Sequence, residues 1–212
     1  MPKPRIWELF PDSYRSEQMQ QLAKWIHAGE NCSVIGLAGC GRSNLLQFLC
    51  YRPEVLQSYL PTEHNPIIAI LVDLNDLPAT DPTTLYLVIL REFYWARNRF
   101  SETLKTAITS LFTEYRATEN AFLAQTALHE FILTCQTEQT QVVLVFNHFD
   151  TFAQTVPRQT LATLRSLRDK FKDSLLFMGG MMQEFRYLPP MDELISRHIC
   201  WVGPMNKDDA RN

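Results

Sequence analysis

Val34-Ile-Gly-Leu-Ala-Gly-Cys-Gly-Arg-Ser-Asn-Leu-Leu-Gln-Phe-Leu49 decides the fold. A short apolar run enters Gly36, Gly39 and Gly41, meets Arg42-Ser43, and continues in a helical pattern. The spacing matches the phosphate-binding loop G-x-x-x-x-G-K-[ST], with arginine where lysine belongs. Glycines permit a tight turn and let backbone N–H groups approach phosphate oxygens. The helix that follows aims its positive end at the same anion. The predicted anion contacts are Gly36, Gly39, Cys40, Gly41, Arg42, Ser43 and Asn44.

Outward from the loop, strands and helices alternate. Asn31 to Leu37 reads as a buried strand and Ser43 to Tyr51 as its helix. Before them, Ser16 is placed to cap a helix running to about Ala28, which Gly29 ends. After them, Ile67-Ile-Ala-Ile-Leu-Val-Asp-Leu74 is a near-continuous apolar run and Val142-Val-Leu-Val-Phe146 is wholly apolar, the pattern of strands covered on both faces. Helices are expected over 83–99, 102–115, 119–137, 157–172 and, briefly, 191–196. A fourth strand spans Ser174 to Met178 and stops at Gly179-Gly180; a fifth covers His198 to Val202. Such alternation argues a parallel α/β sheet with helices on both faces and ligands at the carboxyl ends of the strands. The glycine loop, Asp73, Asn147 and Gly179 all fall at such ends.

Composition narrows the function. The 212 residues carry a net charge of −3, which gives no overall electrostatic case for nucleic acid. No apolar run is long enough to span a membrane, and residues 1–7 lack a signal-peptide core. The five cysteines are scattered, without ligand spacing, and read as reduced thiols of a cytoplasmic protein. Arg165, Arg168, Lys170 and Lys172, interrupted by Asp169 and Asp173, read as a solvated helix face. Phe93-Tyr-Trp95 reads as packing.

The order of parts resembles the AAA+/STAND group of P-loop ATPases, in particular replication-initiator-like ATPase modules. Tyr14-Arg15-Ser16-Glu17 followed by Leu22 is similar to the family's opening helix, which packs near the adenine; this places Arg15 at the base. Gly36 to Ser43 resembles Walker A, and Leu144-Val-Phe-Asn-His-Phe-Asp150 resembles Walker B. Leu176-Phe-Met-Gly-Gly180 resembles the strand that carries a polar sensor. Ser196-Arg197-His198 resembles the segment with a trans-acting arginine finger. The resemblance implies a five-stranded sheet of order 5-1-4-3-2. It implies an arm and helix over 1–30, a core over 31–203, and a lid or linker that barely begins at 204–212.

Departures from the family pattern fall on the chemistry. Arg42 keeps the lysine's charge in a planar fork of different shape. Asn147 stands where the Walker B aspartate would bind Mg²⁺ with Ser43. His148 stands where a glutamate would activate water, and Gly179 or Gly180 replaces the sensor. Phosphoryl transfer needs a positioned water and a fixed metal. His148 reads as a base or as a loop histidine; Asp150 as a displaced carboxylate or a helix cap; Arg197 as an arginine finger or a surface residue. Asp73 ends an apolar run of Walker B type, but on the strand next after the loop helix, where a structural carboxylate is expected. The expectation is an ATP- or ADP-binding module with Mg²⁺ at Ser43 and Asn147 and little hydrolysis. It would act as a switch or scaffold with other domains or subunits of a larger regulatory assembly. A slow ATPase and an empty-loop interaction module are the alternatives.

Overall fold

A computed structural model describes residues 5–183, 195 and 197–204. Five parallel strands form one sheet: β1 (Cys32–Ile35), β2 (Ile67–Asp73), β3 (Gln141–Asn147), β4 (Leu175–Met181) and β5 (Ile199–Trp201). Their order, β2-β3-β4-β1-β5, is the anticipated 5-1-4-3-2 read from the other edge. β1 lies between β4 and β5, so the loop that leaves it opens beside the end of β4.

Period-two alternation sorts the strand residues onto two cores. Val143 and Val145 of β3 and Leu176 and Met178 of β4 face one layer. That layer is built from α1 (Ser16–His27), α2 (Arg42–Tyr51) and α3 (Pro53–Ser58). Val142, Leu144 and Phe146, with Leu175 and Phe177, face the other. There α4 (Pro82–Ala96), α5 (Glu102–Tyr115), α6 (Ala121–Thr137), α7 (Phe149–Thr155) and α8 (Arg158–Lys170) contribute. Both faces are covered, which is why β3 and β4 are apolar between their ends. Asp81, Ser101 and Asn120 cap α4, α5 and α6 with side-chain oxygens on first-turn amides.

Several expectations are corrected. Gly179 and Gly180 do not end β4, which continues to Met181. A Cβ on Gly180 would lie 2.5 Å from Leu46 Cδ1 and 3.3 Å from Asn147 Oδ1, so glycine is needed there for close packing rather than for a turn. Ser16 does not cap α1; it is the first helical residue, and Arg15 holds the cap position at φ +48°. α7 was not anticipated, because its seven residues are too few to show a period. Arg168 is 8% exposed rather than solvated. Its Nε donates to Asn31 Oδ1 at 3.0 Å and its Nη2 to Gly29 O at 3.3 Å. Burial pushes its pKa down, against the raising influence of Asp169, Asp173 and Glu30. Phe93 is buried and Tyr94 stacks on Phe112, but Trp95 is 60% exposed beneath Arg91. The helix expected over 191–196 lies outside the described residues except for Ile195.

Candidate functional site

The loop from Gly36 to Ser43 joins β1 to α2. Gly36 is buried where the chain turns: a Cβ there would lie 2.5 Å from Cys40 Sγ and 2.8 Å from Val202 O. Gly39 (φ +81°) and Gly41 (φ +85°) take left-handed conformations that L side chains rarely adopt. Cys40 N donates to Leu37 O at 3.2 Å, closing the turn. Gly41 is the N-cap of α2, without a side-chain cap, so the first amides of the helix remain for a ligand or water. Leu37 and Ala38 stand exposed at the loop's outer edge, and Asn44 is half-buried in the first turn of α2.

Two guanidiniums serve the loop from within. Arg42 is only 6% exposed, and its Nη1 reaches back to Gly36 O at 3.2 Å, spanning the loop from end to start. Arg15 supports it from the other side. Its Nη2 donates to Cys40 O at 2.6 Å and to Gly203 O at 3.0 Å, and this atom also lies 3.5 Å from where a Gly41 Cβ would be. These bonds offset the left-handed backbone at Arg15. Tyr14 packs beside it, stacked on Phe10 with ring centroids 3.9 Å apart. Arg15 therefore sits against the loop backbone and the segment leaving β5.

The tips of β2 and β3 complete the site. Asp73 and Asn147 are paired across the two strands. Asn147 is buried; its Nδ2 donates to Asp73 Oδ2 at 3.1 Å, and its Oδ1 accepts from Ser43 Oγ at 3.4 Å. His148, at φ +58°, places Nδ1 2.8 Å from Asp73 Oδ1. With Nδ1 donating to the carboxylate, neutral His148 presents Nε2 as an acceptor. Ser43, Asn147, Asp73 and His148 thus form one hydrogen-bonded chain running from the loop to the sheet edge.

Asp150 lies apart from that chain. It belongs to the first turn of α7 and is 2% exposed. Its Oδ2 accepts from Met182 N at 2.9 Å, which ties α7 to the end of β4. Arg197 is exposed in the bend before β5. Sequence reasoning underweighted Asp73. The signal was present, an acid ending an apolar strand, but its contact with Asn147 depends on a strand pairing that the sequence alone does not give.

The donor set suits hard ligands. Ser43 Oγ, Asn147 Oδ1 and the Asp73 carboxylate are oxygens of the kind Mg²⁺ takes, and loop amides beside the Arg42 guanidinium suit a phosphate chain. Among the described residues, no group of three or more His, Cys, Asp or Glu is arranged to hold a metal. The cavity of about 440 Å³ lined by His27, His64, Gln139 and Asp173 lies at the opposite, amino ends of the strands.

Against solved structures, the chain superposes on the Aeropyrum pernix ORC1 protein in complex with DNA. The TM-score is 0.63 at 14% identity, over 95% of this chain and 48% of that one. It likewise matches a Walker-type ATPase of Pyrococcus abyssi, with TM-score 0.62 and 16% identity over 99% of this chain and 58% of that one. A third match is the Aeropyrum pernix ORC2 protein in ADPNP-ADP complexes, with TM-score 0.61 and 12% identity over 95% and 48%. The fold is that of an AAA+-like P-loop ATPase core. The chain spans about half the length of these AAA+-like structures, and identities this low establish the fold alone. No family model matches it, and no curated protein does. No helix among the described residues is long and apolar enough to cross a membrane.

Proposed function

We propose that this AAA+-like core is a STAND-type module that holds ATP or ADP without turning it over efficiently. It would serve as a nucleotide-dependent switch or scaffold within a larger regulatory assembly. The observation that carries the reading is the coexistence of an intact cradle with altered catalytic positions. Gly39 and Gly41 keep the left-handed turns, Ser43 lies in the first turn of α2, and Arg42 keeps a cation inside the loop. The position that would present an acid to the metal is the neutral amide Asn147, and Gly180 has no side chain to orient water. The ORC2 neighbour carries ADPNP and ADP on the same fold, which supports the ligand class.

In this reading the backbone amides of 39–43 and the Arg42 guanidinium bind phosphate oxygens, and Ser43 and Asn147 face the metal. Mg²⁺, when bound, would neutralise phosphate charge. Arg15 holds the loop through Cys40 O and links it to Gly203, so a change of loop conformation reaches the segment leaving β5. With a net charge of −3 and Arg168 of α8 turned inward, DNA is not the ligand assigned to this segment.

Thermal melting with ATP or ADP tests the assignment. At a hundredfold excess over Kd, a ligand stabilises by about 2.7 kcal/mol, which raises Tm by about 5–10 °C in a chain of this size. An unchanged Tm at millimolar nucleotide rejects it. The His148–Asp73 pair favours a second reading, a slow ATPase with His148 Nε2 as base. Phosphate release that survives repurification and is lost in His148→Gln would support it; equal release from both would exclude it.

A further inference from the structure

We propose that Asp73 is the acidic positioning residue of this nucleotide site, carried on β2 instead of β3. The inference rests on the nucleotide-binding reading and adds to it the source of the missing charge. Asp73 and Asn147 are register partners at the carboxyl ends of adjacent strands. Together they hold one carboxylate and one amide, the reverse of a site with its acid on β3. The amide NH₂ of Asn147 donates to Asp73 Oδ2 at 3.1 Å. That bond fixes which way the amide faces: its oxygen turns to Ser43 Oγ, 3.4 Å away, on the loop side. A flipped amide would set two oxygens against each other. Asp73 therefore presents an oxygen at Asn147 to a cation beside Ser43, and supplies the full negative charge behind it.

The pairing also accounts for the amide. An aspartate at 147 would face Asp73 across about the same distance, and two carboxylates so close repel strongly. Asn147 is thus the residue that β2's acid requires, and not simply a lost ligand. Asp73 has a local duty as well: its Oδ1 accepts from Asn75 N at 3.1 Å and caps the turn over Leu74–Asp76. Oδ1 also meets His148 Nδ1. A test must separate charge at the site from this capping.

The test is the ratio of ATP affinity in Mg²⁺ to that in EDTA, measured by calorimetry for four proteins. These are wild type, Asp73→Asn, Asp73→Ser and the exchanged pair Asp73→Asn with Asn147→Asp. Asn and Ser both retain an oxygen able to cap residues 74–76. Wild type is expected to bind more tightly with Mg²⁺. Removing a group that orients a metal ligand costs about 10–100-fold in metal affinity, so the ratio falls towards one in both single variants. The exchanged pair restores one carboxylate and one amide, and with them the Mg²⁺ preference. A wild-type ratio retained in Asp73→Asn overturns the inference, as does an exchanged pair no more Mg²⁺-sensitive than the single variants. Wild-type binding that is equal with and without Mg²⁺ also overturns it, leaving the nucleotide-binding reading intact. No ATP binding in either buffer removes both.

Discussion

Replacing Gly180 by alanine adds one methyl group at the junction of sheet and site. That Cβ would lie 2.5 Å from Leu46 Cδ1, 3.3 Å from Asn147 Oδ1 and 3.5 Å from Phe146 O. Ordinary carbon contacts sit near 3.5–4.0 Å, so Leu46 must retreat by about 1 Å. Leu46 is fully buried on α2, in an interior packed about as densely as an organic crystal. Overpacking of this kind costs about 1–3 kcal/mol. Alanine's lower backbone entropy returns about 0.5–1 kcal/mol of that in a strand interior. The net expectation is a loss of up to about 2.5 kcal/mol, or a Tm lower by up to about 10 °C for a chain of this length. Urea unfolding of Gly180→Ala, Leu46→Ala and the double variant measures it. Leu46→Ala alone should cost about 2–5 kcal/mol through the cavity it leaves. In the double variant the new methyl enters that cavity, so the two losses should add to less than their sum by about 1 kcal/mol or more. Strict additivity of the two losses would refute the packing explanation for a glycine at position 180.

Other expectations concern buried polar groups. Arg168→Ala removes bonds to Asn31 Oδ1 and Gly29 O. Asn31 Oδ1 keeps its bond from Phe177 N at 2.8 Å, so the loss should be near 2–3 kcal/mol rather than that of an orphaned core; chemical denaturation would show it, and a change under about 0.5 kcal/mol would contradict the buried assignment. His129 has its Nε2 buried without a hydrogen-bond partner and its ring edge-on to Phe171. Burial first, and Lys170 second, lower its pKa from 6.5. A folded-state pKa that is depressed gives stability present above the unfolded value and lost as pH falls through the folded one. The urea midpoint should therefore drop between about pH 7.5 and pH 5, more in wild type than in His129→Gln; parallel curves would count against it. Arg15→Met should loosen the loop and the segment after β5 together, seen as faster amide exchange at both Cys40 and Gly203. Exchange that changes at only one of them would deny the link.

The layered sheet was legible because its determinants are local. Apolar runs at 67–74 and 142–146 read as doubly covered strands, and the glycine spacing at 36–41 fixed a strand-to-helix turn. What escaped depends on contacts between distant residues. Arg168 looks like part of a charged helix face, yet Asn31 and Gly29, brought close only by folding, hold it inside. Gly179-Gly180 carries a turn signal that the packing of Leu46 overrides. Asp73 and Asn147 are 74 residues apart, and their pairing follows from strand register. The candidate phosphate contacts were readable residue by residue; the geometry that gives Asp73 a role was not.

The central claim is that the loop holds a nucleotide and leaves it intact. Calorimetric titration of ATP into wild type and Arg42→Ala, followed by recovery of the nucleotide, tests it most directly. The account predicts saturable one-site binding to wild type, weakening of about tenfold or more in Arg42→Ala as a charged contact is lost, and ATP recovered unhydrolysed. Equal affinity in the two proteins, no heat at millimolar ATP, or recovery as ADP would contradict it.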